Sequence, residues 1–347
     1  MLESHHRYHS FKDDYSEGAH PRILEALQRH NTTQEAGYGL DQYCRQAIAL
    51  LRDAVGQPHA QIHFTTGGTQ TNVLVLHAIL KSFESVVAAA SAHIAVHETG
   101  AIEATGHKIH TVPTATGRLT VSMVEQVVRQ HVDEHMVVPK AVFISQPTEY
   151  GTLYTRGELE LLSGYCRDHG MYLYVDGARL GMALTARDND VTIQALAKLV
   201  DVFYIGGTKN GGLLGEAVVF TNSALAHHFR YYMKQKGALI AKSRVLGIQF
   251  MELFRDQLYY DLGNVANVRA TTLADGIRQA GYSFWIPPTT NQLFPVFPAD
   301  LVTRLKNKYD FYEWTTLEGD QVVIRLVTSW ATTEEVVQEF INDLEGK

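Results

Sequence analysis

Cysteine is nearly missing from this chain: Cys44 and Cys166 are the only two among 347 residues. That scarcity excludes a disulfide scaffold and suits a reduced, cytoplasmic setting. No run of 18 uncharged apolar residues occurs, which excludes a transmembrane helix. The opening Met1-Leu2-Glu3-Ser4-His5-His6-Arg7 lacks the apolar core of a secretion signal. Positive charge is in deficit, with 30 Lys and Arg against 37 Asp and Glu for a net charge of −7. This balance argues against nucleic acid and anionic membrane as partners. Low-complexity segments and short-period repeats are also lacking. What remains is globular: 45% hydrophobic and 19% charged residues, in a chain long enough for a large core and for two domains or one large one.

Histidine, by contrast, is plentiful at 17 residues and raises the question of a metal. His5, His6 and His9 match no metal-ligand spacing, and His131 and His135, four apart on an expected helix, lack a third ligand nearby. No transition metal is expected.

Three segments carry the chemistry. Ile62-His63-Phe64-Thr65-Thr66-Gly67-Gly68-Thr69-Gln70-Thr71-Asn72 runs from a short apolar stretch through two glycines into a helical pattern. Free N–H groups at such a start bind phosphate, and Thr69 adds a hydroxyl; a simple cap by Thr66 or Thr69 is the plainer alternative. Val73, Leu76, Leu80 and Phe83 mark the apolar face of that helix, flanked by Val75 and Ile79. Next, Met171-Tyr172-Leu173-Tyr174-Val175-Asp176-Gly177-Ala178-Arg179 reads as a buried strand that delivers a carboxylate at its end. Finally, Lys209 stands in the glycine-rich turn Gly206-Gly207-Thr208-Lys209-Asn210-Gly211-Gly212, after the apolar run 200–205. Alone, a lysine after a strand is an ordinary turn residue. In this order, however, phosphate loop, carboxylate strand and lysine turn match what pyridoxal 5′-phosphate (PLP) requires: a lysine on its aldehyde carbon and an Asp on its pyridinium nitrogen.

With these motifs the chain resembles the fold-type-I PLP-dependent enzymes, and within them the low-specificity threonine aldolases of the β-eliminating lyase group. The resemblance spans Phe11-Lys12-Asp13-Asp14-Tyr15, Gly37-Tyr38-Gly39, Gly68-Thr69-Gln70-Thr71-Asn72, His93 through Ala101, Asp176-Gly177-Ala178-Arg179, Gly207-Thr208-Lys209 and Arg325-Leu326-Val327-Thr328-Ser329. It implies that Gly68, Thr69, His93, Asp176, Arg179 and Lys209 hold the cofactor, with His93 stacked over its ring. Arg179 and Arg325 are candidates for the substrate carboxylate, which calls for a planar charged fork; Arg179 is alternatively placed at the phenolate oxygen of PLP. Asp13 falls in a segment that touches substrate in relatives, many of which have serine there. Glu149, in Gln146-Pro147-Thr148-Glu149, stands where many relatives carry a histidine beside the substrate hydroxyl, and a glutamate raised by burial can also take a proton. Glu98 also falls on a family glutamate.

The implied reaction is retro-aldol cleavage of a small L-β-hydroxy-α-amino acid, such as threonine or allo-threonine, to glycine and an aldehyde. His93, Glu149 and water are all left as bases for the hydroxyl proton. Transamination or β-elimination on the same scaffold, and a non-catalytic PLP-binding role, stay open as alternatives. Relatives build the site between subunits, so a homodimer or homotetramer is expected. Tyr38 would reach a neighbour's site, and the basic stretch from Lys234 to Lys242 and Arg244 would send a cation to a neighbour's phosphate.

Alternating strands and helices predict an α/β fold with a mostly parallel sheet covered on both faces, and a smaller α+β domain after it. The divisions expected are residues 1–240 and 241–347. Helices are predicted over His20–His30, 69–82, 95–105 and Glu158–His169. The predicted strands are 85–89, Ala141–Ser145, Met171–Val175, Val202–Ile205, Ala217–Phe220 and Val322–Val327.

Overall fold

A computed structural model describes residues 9–345; His5 and His6 lie outside the described residues. Its main sheet has seven strands: β1 (Gln61–Thr65), β2 (Glu84–Ala89), β3 (Ile109–Val112), β4 (Val138–Ser145), β5 (Tyr172–Asp176), β6 (Val202–Gly206) and β7 (Glu216–Phe220). Their spatial order is β1-β7-β6-β5-β4-β2-β3. Only β7 runs against the rest, antiparallel to both β1 and β6. The strands β5, β6 and β7 are nearly continuous apolar runs, as strands covered on both faces must be. Because six strands share a direction, their C-terminal ends gather on one edge, where a ligand site belongs in such sheets.

Local sequence explains most of the connecting helices. Thr155 and Glu158 form a reciprocal capping box that starts the helix Arg156–Asp168, whose Leu159, Leu162 and Cys166 are buried. Pro21 occupies the first turn of the helix Pro21–Arg29. Two expectations need correction. The helix over 95–105 is instead one short turn, His93–Val96, followed by a 3₁₀ turn at Glu103–Thr105. Thr99 and Gly100 both take left-handed backbone (φ 53° and 69°), so the helix that stops at Val96 cannot resume before the 3₁₀ turn, and Glu98 lies back against His93. Phe83 does not belong to the apolar face of the helix Gly68–Ile79, because the helix stops at Ile79; Phe83 is 54% exposed.

A second sheet holds β8 (Ser283–Ile286), β9 (Gln292–Pro298), β10 (Tyr312–Leu317) and β11 (Gln321–Val327), antiparallel in the order β10-β11-β9-β8. Two apolar cores meet along the helix Leu258–Gln279. Leu258, Tyr259 and Leu262 enter the core of the main sheet, while Ala270, Leu273, Ala274 and Ile277 join the second. Phe11, from the N-terminal segment, also packs in the second core. Among the described residues, no helix is long and apolar enough to cross a membrane, and no group of three or more His, Cys, Asp or Glu is placed to hold a metal.

Candidate active site

The gathered strand ends surround a cavity of about 270 Å³ lined by Thr66, Gly67, Gly68, Thr69, His93, Glu149, Asp176, Arg179, Thr208 and Lys209, with Tyr15, Tyr204 and Glu216 among its other walls. A second lobe adds His97, Tyr312, Trp314 and Arg325 to Tyr15, His93, Glu149, Arg179 and Lys209. Tyr15 and Arg325, 310 positions apart in sequence, thus meet around one space.

Asp176 ends β5 and is buried. Its Oδ1 accepts from the Ala178 amide at 3.0 Å and from the Tyr204 hydroxyl at 2.5 Å. Gly177 is required here by close approach: a Cβ would stand 1.9 Å from the Tyr204 carbonyl oxygen. Asn72 spans the floor, donating to Glu98 Oε1 at 2.7 Å and accepting from the Tyr174 hydroxyl at 2.7 Å. Glu98 Oε1 also meets His93 Nδ1 at 2.8 Å. Burial alone would favour neutral His93, yet the bond to Glu98 and the charges of Glu149 and Asp176 raise it above the usual histidine value.

Lys209 follows β6 and lies 5.8 Å from the centre of the Tyr15 ring. Burial, together with the Arg179 cation, lowers its pKa and so enlarges the neutral, nucleophilic fraction. On the opposite wall, the 12-residue helix Gly68–Ile79 opens at Gly67 without a side-chain cap. An amine of lowered pKa, a hydrogen-bonded carboxylate and an uncapped helix start on one cavity form a donor set that fits PLP.

The two arginines part company. Arg179 is buried and forked onto Asp14, its Nε 2.6 Å from Oδ2 and its Nη2 3.0 Å from Oδ1. Asp14 also accepts from Asn291 Nδ2 at 3.0 Å. Burial would raise the Asp14 pKa, but Arg179 and Lys209 outweigh it and hold the carboxyl below its ordinary value. Arg179 therefore spends its fork inside the protein. Arg325 does not: its Nη2 donates to the Lys12 carbonyl at 3.1 Å, and among the described residues its buried Nε has no partner and no carboxylate pairs with it. Its guanidinium lies 4.9 Å from the Tyr312 ring centre and 5.5 Å from that of Trp314.

Two sequence candidates, Asp13 and Arg244, need correction. Asp13 does not face the cavity; its Oδ1 accepts from the Tyr15 amide and the Ser16 hydroxyl in a local turn, and Asp14 is the residue that points inward. Tyr38 lies outside this chain's cavity, in left-handed backbone with φ 60°, its carbonyl bonded by Arg230 and its ring 4.5 Å from Lys234. Arg244 is no free cation, since it donates to the carbonyls of His30, Asn31 and Thr33. Sequence reasoning also passed over Tyr204, His97 and Glu216. Glu216 carried a readable signal, a charge opening the otherwise apolar run Glu216–Phe220.

Comparison with known proteins follows the same lines. The sequence model described as "Beta-eliminating lyase" matches residues 13–299. The low specificity L-threonine aldolase of Pseudomonas aeruginosa is 31% identical over 336 residues, covering 96% of this chain and 95% of that protein. A solved threonine aldolase of Leishmania major superposes with a TM-score of 0.96 at 45% identity, over 97% of this chain and 99% of that one. An aspartate aminotransferase of Thermus thermophilus, 16% identical with a TM-score of 0.69 over 96% of this chain and 90% of its own, shares the fold alone.

Proposed function

This chain belongs to the beta-eliminating lyase family, and we propose that it is a PLP-dependent threonine aldolase. It cleaves small L-β-hydroxy-α-amino acids, threonine or allo-threonine, to glycine and an aldehyde. The observation that carries this reading is the unpaired guanidinium of Arg325 facing the same space as Lys209, Asp176, His93 and Glu149. A desolvated cation is costly without an anion, and an α-carboxylate supplies one.

PLP would be held by Lys209 at its aldehyde carbon, Asp176 at its pyridine nitrogen, Gly68 and Thr69 at its phosphate, and His93 at its ring face. When bound, it supplies an electron sink for the pair released as the Cα–Cβ bond breaks. Arg325 orients the substrate by its carboxylate, which fixes the bond that lies ready to break. Arg179, engaged by Asp14, shapes the wall and depresses Lys209. The substrate hydroxyl gives its proton to Glu149, whose side-chain partner among the described residues is the Ser145 hydroxyl at 3.2 Å. His93 is the poorer base because Glu98 favours its charged form; it is suited to returning a proton to the carbon.

Assembly into at least a homodimer is supported by Tyr38, Arg230 and Lys234, which cluster away from this chain's own cavity. A cytoplasmic location is supported by the buried free thiols of Cys44 and Cys166. The deciding experiment is product analysis with PLP-loaded protein and L-threonine or L-allo-threonine. Glycine and acetaldehyde in equal amounts are expected. A keto acid from either substrate would overturn the aldolase reading.

A further inference from the structure

We infer that Glu216 is a proton-linked positioning residue at the phosphate end of the cavity, and that it takes up one proton when a phosphate group enters. The uptake turns the Thr208 hydroxyl toward that phosphate. This rests on the PLP reading above but goes beyond it, since Glu216 touches neither the aldehyde nor the ring nitrogen.

The sheet topology puts it there. As the single reversed strand, β7 begins where its neighbours end, so Glu216 is paired across the ladder with Thr65 of β1 and Gly206 of β6. Those two strands lead into the uncapped helix and the lysine turn respectively. Glu216 is buried in the cavity wall with Gly67, Gly68, Thr69 and Thr208. Its Oε2 accepts from the Gly207 amide at 2.9 Å and its Oε1 accepts from the Thr208 hydroxyl at 2.9 Å. Thr208 Oγ1 in turn accepts from the Gly215 amide at 2.9 Å. While Glu216 is a carboxylate, the Thr208 proton is committed to it and cannot serve a ligand.

A phosphate in this wall confronts that carboxylate, and two like charges out of water favour protonation of one. A proton from solvent on Oε1 reverses the bond: Glu216 then donates to Thr208 Oγ1, and the Thr208 hydrogen swings to a phosphate oxygen. The bonds from Gly215 and Gly207 persist, so no buried group loses a partner. Lys209 and Asp176 are the charged groups facing Glu216, the first favouring its carboxylate and the second opposing it; Tyr174, Tyr204 and Tyr259 also face it. Burial is the largest influence and pushes the carboxyl up to about 7, so the proton is exchangeable near neutrality.

Glu216→Gln mimics the protonated acid, since its amide oxygen accepts and its amide nitrogen donates. PLP affinity of the full chain, read from the visible absorbance band, is measured for both proteins from pH 6 to 8.5. Wild-type affinity should fall relative to the variant by roughly tenfold per pH unit above about 7. Calorimetry of the wild type at pH 8, in buffers of different ionisation heat, gives an independent measure should the variant fold poorly. PLP should take up about one proton more than pyridoxal, which lacks the phosphate. A wild-type-to-variant ratio that is flat with pH, or equal uptake with PLP and pyridoxal, overturns the inference. Failure of the wild type to develop a band at any pH would instead overturn the PLP reading itself.

Discussion

Replacing Arg325 by lysine tests the carboxylate assignment most directly. The guanidinium has five N–H donors; one serves the Lys12 carbonyl, and Nε has no partner among the described residues. A substrate carboxylate therefore meets an open fork held flat by Tyr312 and Trp314. Lysine keeps the charge but supplies a point contact, losing one of two charge-assisted bonds and the stacking. At about 1.5–3 kcal/mol for such a bond, KM for threonine should rise by about 10- to 150-fold. Because the carboxylate is bound alike before and during bond breaking, kcat should fall much less. Initial rates of acetaldehyde release across threonine concentrations give both constants, and titration of the visible band gives PLP affinity, which should not move. A KM within twofold of wild type would refute the reasoning and transfer the role to Arg179, despite its engagement by Asp14.

Lys209→Ala should remove the borohydride-reducible bond to PLP and nearly all cleavage while the unfolding midpoint holds; a persisting reducible bond would clear Lys209 of its role. Asp176→Asn should still load PLP yet lose most of its turnover, because an amide cannot balance a protonated ring nitrogen; unchanged kcat would sink that assignment. Glu149→Gln should lower kcat by about 10²- to 10⁴-fold as the base is lost, and a similar loss in a His93 variant with Glu149→Gln fully active would reverse the two roles. His63 bears on stability: burial pushes it down to about 4 against an unfolded value near 6.5. Its contribution is present above about pH 6.5 and is lost as pH falls toward 4, at a cost of about 3 kcal/mol. His63→Phe, beside Phe220 and Phe229, should flatten that acid loss in urea midpoints measured between pH 7 and 4, and an unchanged pH profile would exclude His63 as its source.

How much of this site could be read beforehand follows from what each residue depends on. Lys209, Asp176 and Gly68 stand at strand-to-turn and turn-to-helix boundaries, where glycines and apolar runs mark position within a few residues. Their meeting follows from the parallel direction of β1, β5 and β6, which the alternating pattern implies. Asp14 was missed by one place, because adjacent carboxylates differ only in which way a turn directs them, and the turn closes on Asp13. The helix expected over 95–105 failed at Thr99 and Gly100, where backbone handedness overrides the apolar spacing. Glu216 is the instructive omission. Its charge at the head of an apolar run is a readable signal of something unusual but names no role, since it lies seven residues past Lys209 and opens what otherwise reads as a buried strand. Its place comes from the reversal of β7, which carries the start of one strand to the ends of two others. A group that acts through Thr208, rather than on a ligand directly, leaves its mark in the register of the sheet. Local motifs therefore disclose the groups that hold the cofactor sooner than the groups that set the charge around it.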